Sequence, residues 1–291
     1  MTLPFKKISI IGLGLIGTSI LHAINVKKEK IITYAYDINE RHRNIVSGMK
    51  IATFVCNNIH DAIRDVDLVI LAVPVGSMKS VAIEISPSLR KGSVITDTGS
   101  TKNSVINDVT PFLPNNVYFI PSHPLAGTEY SGPESGFSTL FENRYWLIVY
   151  EKETNQTRRL ATFLKKMGSI VEIVNAEYHD KILAITSHLP HLIAYTIVGT
   201  ASDLETDLKN DVIKFSASGF RDFTRIAASD PVMWRDIFLN NSDAVLEMLQ
   251  RFNEDLSDLQ KAIRKKEGHK LHSFFSRTRS IRKKIIEAGQ I

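Results

Sequence analysis

Along the first 175 residues, short apolar runs alternate with segments whose apolar residues recur at helical spacing. The runs cover residues 8–11, 31–36, 53–55, 67–73, 93–96, 117–121, 145–150 and 169–174, each the length of a strand. Strands separated by helices predict right-handed crossovers and a doubly wound, mostly parallel sheet of the Rossmann type, an α/β fold. Residues 67–73 are apolar on both faces, as a central parallel strand requires, and Val73-Pro74 closes that run. Beyond Ala176 the strand signals stop, and the pattern is helical to the end, with breaks near Asn210, 216–219, 229–231 and Gly268. The expected organisation is therefore a Rossmann-type domain over residues 1–174 and an all-α domain over 175–291, without internal repeats. A helical domain attached in this way commonly supplies a pocket wall and a dimer interface, so a homodimer through it is expected.

Composition alters this picture little. Apolar residues make up 43% of the chain and charged residues 23%, ordinary values for a soluble protein. The single cysteine, Cys56, excludes an intrachain disulfide and reads as a small core residue. No apolar leader precedes the first strand pattern, and no run reaches the ~18 apolar residues a membrane span needs, so a cytoplasmic protein without a membrane partner is expected. The net charge of +5 becomes less suggestive once located. Residues 261–284 hold ten Lys or Arg against the single acid Glu267, while the rest of the chain is net negative. With Leu271, Phe274, Phe275 and Ile281 on its apolar side, this segment reads as a packed helix with a solvated basic face, and no nucleic-acid partner is expected.

Candidate chemistry begins at Gly12-Leu13-Gly14-Leu15-Ile16-Gly17, between the first apolar run and a helical pattern starting near Thr18. In that context the glycines provide a tight turn, close approach of backbone to a pyrophosphate, and tight helix-on-strand packing, with helix N–H groups facing the phosphates. Asp37 ends the second run, 20 residues past Gly17, where a carboxylate accepts hydrogen bonds from the ribose hydroxyls of NAD and repels the 2′-phosphate of NADP. NAD is the expected cofactor, although Arg41 and Arg43 lie near enough to hold a phosphate. In an open α/β sheet the residues just past each strand share one edge. That rule gathers Val73, Pro74, Thr98, Ser100 and His123 along the cofactor's path. His123, directly after a strand, is positioned to accept a proton from a substrate hydroxyl as hydride leaves the same carbon, or else to fix its loop. Ser100 reads as a helix N-cap, as a hydroxyl reaching His123 or the nicotinamide, or as both.

In the helical half, His188 and His191 flank Pro190, which is expected to kink its helix at Thr186. A zinc pair there lacks companion ligands, so no metal is expected and substrate contact is preferred. Arg221 and Arg225, four residues apart, can face an anionic substrate or pair with acids such as Asp222.

Taken together, GLGLIG, Asp37, DTGSTK at 97–102, SHPLAGTE at 122–129, TSHLPH at 186–191, GFRDFTRIA at 219–227 and DPVMWRDI at 230–237 resemble the prephenate/arogenate dehydrogenase family of tyrosine biosynthesis. The resemblance covers essentially the whole chain. It implies NAD-dependent oxidative decarboxylation of a small-molecule cyclohexadienol, prephenate or arogenate. His123 would be the catalytic histidine on the ring hydroxyl, Ser100 the serine that orients it, and His191 and Arg225 substrate contacts. Thr128 and Glu129 would belong to the pocket loop, and Arg221 stands where relatives carry lysine. On this resemblance the chain has no room for an ACT-type domain, and regulation through one is not expected. Because the ring carboxylate loses its charge as CO2 departs, an ion pair there would favour the ground state, which assigns Arg225 to the side-chain carboxylate.

Two rivals are weaker. A β-hydroxyacid dehydrogenase would carry asparagine four residues after its catalytic lysine, whereas Lys181 is followed at that spacing by Ile185. A non-catalytic NAD-sensing regulator would leave His123 and the two arginines without a purpose.

Overall fold

The computed structural model describes residues 3–27, 29–204, 211, 212 and 214–287, and by compactness the chain divides into Met1–Ser242 and Asp243–Ile291. The first unit opens with the parallel strands β1 (Lys7–Ile11), β2 (Ile32–Tyr36), β3 (Phe54–Val55), β4 (Leu68–Leu71), β5 (Val94–Asp97) and β6 (Tyr118–Phe119), in the spatial order β3-β2-β1-β4-β5-β6. Every pair in this sheet is parallel, as the alternating pattern predicts. The two-residue period of β4 shows why it is apolar throughout. Leu68 and Ile70 enter a core with Ile8, Ile10, Ile20 and Leu21, while Val69 and Leu71 enter a second core with Ile59, Ile63, Met78 and Val105.

The expectation of one sheet needs correction. After β6 the chain passes through Ile120-Pro121 into a second sheet of β7 (Ser122–Pro124), β8 (Tyr145–Val149) and β9 (Ile170–Val174), with β7 antiparallel to β8 and β8 parallel to β9. Proline has no N–H with which to continue a ladder, so the pairing of β6 on β5 stops there. The Pro121 carbonyl instead accepts from Val149 N at 2.9 Å, the first rung beside β7 and β8.

Helices α1 (Leu15–Asn25), α2 (Glu40–Met49), α3 (Ile59–Ile63), α4 (Met78–Ile85), α5 (Asn103–Val109) and α6 (Asn155–Lys166) connect these strands. α1 starts at Leu15, three residues before the expected Thr18. β9 is the last strand among the described residues, and α7 (Ala176–Leu183) follows at once, capped by the Asn175 side chain. A π-helical turn, Ala184–His188, joins α7 to α8 (Leu189–Ser202), and Pro190 lies in the first turn of α8. The distortion expected at Thr186 is thus absorbed as a widened turn. The continuous stretch Ala176–Ser202 is long and apolar enough to cross a membrane by length and composition, with mean hydropathy 1.4, yet it carries the buried polar residues His179, Asp180 and His188.

Downstream come α9 (Ser218–Thr224), a 3-10 turn Arg225–Ala228 and α10 (Pro231–Asn240), whose Trp234 and Ile237 belong to the second core. The expected break near Asn210 lies outside the described residues, and those near 216–219 and 229–231 fall at the starts of α9 and α10. The second unit holds most of α11 (Ser242–Arg264) and all of α12 (Gly268–Glu287), which meet at the expected break at Gly268. Its basic residues lie on these helices and, at Lys265 and Lys266, in the turn between them, and the described positions are mostly exposed.

Candidate active site

The three glycines of the first loop differ in what surrounds them. Gly12 has φ +98, and a Cβ there would stand 2.4 Å from the Ala72 carbonyl oxygen, so the turn admits only glycine. A Cβ on Gly17 would stand 1.9 Å from the Gly12 oxygen, which is the close packing of α1 on the loop. Gly14 has nothing within 4 Å, leaving open backbone at the N-terminus of α1. Leu15 and Ile16 form the first turn of that helix, which contains no acid to compete with an anion. Asp37 is buried, its Oδ2 accepting from Leu13 N at 2.7 Å and its Oδ1 from Asn39 N at 2.8 Å. The carboxylate is therefore fixed against the glycine loop. Arg43 donates to the carbonyls of Asp37 and Ile38, and Arg41 reaches Glu134 at 3.5 Å, so both arginines are engaged away from the carboxylate. These features fit a dinucleotide.

Farther along the sheet edge, Val73 and Pro74 follow β4, and Pro74 leads into a 3-10 turn, Val75–Ser77. Thr98 is tied to β4, its N–H donating to Leu71 O at 3.0 Å. Ser100 is half-buried and does not cap a helix: α5 begins later, at Asn103. The cap comes instead from Asp180 on α7, whose carboxylate accepts from Lys102 N at 2.7 Å and Asn103 N at 2.9 Å.

His123 lies in the middle of β7, opposite Leu147, rather than in a loop past a strand. The ladder holds its backbone, and its ring is buried. His123 Nδ1 lies 2.9 Å from His179 Nε2, and His179 Nδ1 lies 2.8 Å from Asp180 Oδ1. The bond His123 makes within the fold is thus to His179, and not to Ser100 as one reading of the sequence had it. Beneath this chain, the fully buried Lys102 ammonium bonds the Asp97 carboxylate and donates to Ser122 O at 2.8 Å. Burial, reinforced by His179, Lys102 and His188, pushes the His123 pKa well below the usual histidine range. Burial also lowers His179, against the opposing pull of Asp180. For Asp180, burial works against the charged form, but bonds from His179 and the Asn103 and Lys102 amides outweigh it and leave the pKa lowered.

The other predicted histidines meet at Trp234. His191 stacks on its ring with centroids 3.6 Å apart, and His188 meets it edge-on at 6.1 Å. His191 Nδ1 donates to Ser187 O at 2.9 Å, an i to i−4 contact across the π-turn. His188 is fully buried, with Nδ1 3.1 Å from Asn241 Nδ2 and its pKa lowered to about 4, chiefly by burial. His188 Nε2 is buried without a hydrogen-bond partner, whereas His191 is only partly buried, so of the pair, for which substrate contact by at least one was expected, His191 is the more accessible. Arg225 pairs with Glu129 at 2.6 Å, so the acid it meets is the pocket-loop glutamate and not Asp222. Thr128 Oγ1 accepts from Tyr130 N at 3.3 Å within that loop, and Arg221 is exposed.

A model described as the nucleotide-binding domain of prephenate dehydrogenase matches residues 22–173, and one described as its dimerization domain matches 175–277. The chain belongs to the prephenate dehydrogenase family. It is 40% identical to a cyclohexadienyl dehydrogenase of Zymomonas mobilis over 96% of this chain and 95% of that one. It is 33% identical to a prephenate dehydrogenase of Lactococcus lactis, over 95% of this chain and 77% of that one. The crystal structure of Aquifex aeolicus prephenate dehydrogenase with hydroxyphenyl propionate and NAD+ superposes with a TM-score of 0.87 at 30% identity, covering 96% of this chain and 98% of that one. This prephenate dehydrogenase family member also places four buried polar residues around His123 to which its sequence assigned no role: Asp97, Lys102, His179 and Asp180. The last two carried a legible signal, since His179 and Asp180 precede Leu183 by four and three residues and so put polar groups on the buried face of α7.

Proposed function

We infer that the chain catalyses oxidative decarboxylation of prephenate to 4-hydroxyphenylpyruvate in tyrosine biosynthesis, with arogenate as a second candidate substrate and NAD as the cofactor. The observation that carries this reading is a buried, neutral histidine, His123, in the strand that leaves the carboxyl edge of the six-stranded sheet: the adjacent Ser122 N donates to Asp97 at the end of β5, and the glycine cradle and Asp37 follow β1 and β2 at that edge. NAD, when bound, supplies the hydride acceptor. The ring hydrogen leaves with its electron pair, the ring carboxylate leaves as CO2, and the electrons of the broken C–C bond complete the aromatic ring. The hydroxyl ends as a phenol, so no net proton is released. His123 therefore serves as an acceptor that draws the hydroxyl proton while electron demand at the carbon is greatest, and lets it return. Arg225, with one N–H on Glu129 and its side chain still 56% exposed, has further donors for the side-chain carboxylate. His191, held flat on Trp234, lines the pocket beside it. Ser100 remains a candidate for orienting the nicotinamide, and Thr128 and Arg221 for the rim.

The match of residues 175–277 to a dimerization domain supports a homodimer through the helical part, and we read the enzyme as cytoplasmic. Steady-state assay of reduced cofactor with prephenate or arogenate, each with NAD or NADP, tests the reading. Turnover of prephenate with NAD is expected to dominate, and absence of turnover in all four combinations would remove it.

A further inference from the structure

The hydrogen bonds behind His123 determine which of its nitrogens carries the proton. The Asp180 carboxylate has no proton to give, since it already accepts from Lys102 N, Asn103 N and, at 2.8 Å, Asn103 Nδ2. His179 Nδ1, 2.8 Å from Asp180 Oδ1, must therefore be the donor in that contact. A neutral His179 then presents a lone pair at Nε2, and His123 Nδ1, 2.9 Å away, must donate to it. The single proton of a neutral His123 is thereby spent on Nδ1, leaving Nε2 bare. Reversing the chain at either link would set two lone pairs or two protons against each other.

We propose that Asp180 and His179 are a positioning pair that locks His123 in the tautomer with an unprotonated Nε2, the form that can accept from a substrate hydroxyl. The proposal rests on the role given to His123 above. It also explains a cost built into the fold, because His179 is a fully buried polar residue whose two ring nitrogens are both committed within the protein. A protonated His179 would donate from both nitrogens, turn His123 Nδ1 into an acceptor and move the proton to Nε2, where it blocks acceptance. The groups around the pair are Lys102, Asp97, Asp180 and His188. Burial and the Lys102 charge oppose protonation of His179, and Asp180 and Asp97 favour it.

The test uses the full chain labelled with 15N-histidine. The ring 15N shifts of His123 should report a protonated Nδ1 and a bare Nε2 in the unmutated protein. The opposite assignment, or an averaged mixture of tautomers, overturns the proposal. In parallel, His179→Phe removes the acceptor and His179→Gln keeps an amide oxygen able to accept. His179→Phe is expected to lower kcat on the order of 10²-fold, with KM for both substrates within about threefold, and His179→Gln to recover at least about tenfold of that loss. A kcat within twofold of the parent in His179→Phe, or kcat and KM moving together, overturns it. If His179→Phe does not fold by circular dichroism, the shifts of the parent and the rates of His179→Gln decide. An active His123→Asn would remove the underlying reading, whereas an inactive His123→Asn with a protonated Nε2 in the parent overturns the positioning role alone.

Discussion

The glycine loop, at the end of β1 in the six-stranded sheet, and the histidine cluster, around β7 of the three-stranded one, are built in opposite ways. The loop acts through backbone, and its parts lie within six consecutive residues plus one carboxylate 20 residues on. The cluster acts through side chains, and its members come from β7, the start of α5, α7 and the π-turn, with contacts that span as many as 78 residues. Backbone recognition needs the absence of side chains, which a short motif can specify locally. Proton chemistry needs groups of opposite character in contact, and only the tertiary fold brings them together.

If this division is right, replacements in the cluster should change turnover or substrate affinity without unfolding the chain. His123→Asn is expected to lower kcat by about 10²- to 10⁴-fold with a small change in KM. Arg225→Ala, which on the proposed reading removes a donor to the side-chain carboxylate rather than an acceptor at the reacting oxygen, should raise KM about tenfold or more and leave kcat within a few-fold. Steady-state kinetics of the two variants would break the comparison if both moved the same parameter.

A second expectation concerns stability. The folded protein holds His188 at about 4 against 6.5 for the free side chain, with burial the main cause. The unfolded chain takes up a proton below pH 6.5 that the fold resists until about pH 4, so this stabilisation is whole above 6.5 and is lost as pH falls toward 4. At full expression it is worth on the order of 3 kcal/mol, and His123, His179 and His191 act in the same direction. Urea midpoints at pH 7 and pH 4.5 should differ accordingly, with a shallower dependence in His188→Gln.

The smallest effects belong to the loop, and there the two kinds of glycine separate. Gly17→Ala must displace the Gly12 carbonyl and should cost about 1–3 kcal/mol, read as a lowered Tm. Gly14→Ala meets no protein atom and should leave Tm nearly unchanged while raising KM for NAD. Equal loss of Tm in both would contradict the separate roles assigned to them.

The same division explains what was legible in the sequence. The six parallel strands, the turn at Gly12 and the carboxylate at Asp37 follow from local pattern. The second sheet did not, because the runs at 145–150 and 169–174 have the strand character of the others and only pairing tells which sheet they join. His123 and Arg225 were identifiable as residues, but their partners were not. Ser100 seemed the natural cap for α5, yet Asp180, 78 positions after Lys102, performs that task and also orients His179. The polar groups on the buried face of α7 are visible locally, but no local window shows that the partner of Asp180 stands 78 positions earlier.

The turn of the chain at Pro121 also bears on how this scaffold can change. Because His123 lies in a strand paired with β8, the polypeptide between Pro124 and Tyr145 enters and leaves through adjacent rungs of one ladder. That stretch contains Thr128 and Glu129, and its ends stay in register whatever lies between them. Insertions around Thr128 and Glu129 would cost little in closure entropy and would leave the histidine where it stands, whereas Leu140 and Phe141, later in the stretch, are buried in the first core. The fold thus separates a loop around Thr128 and Glu129 from a histidine held in a strand, and on the proposed reading substrate preference can be changed in the one without rebuilding the other.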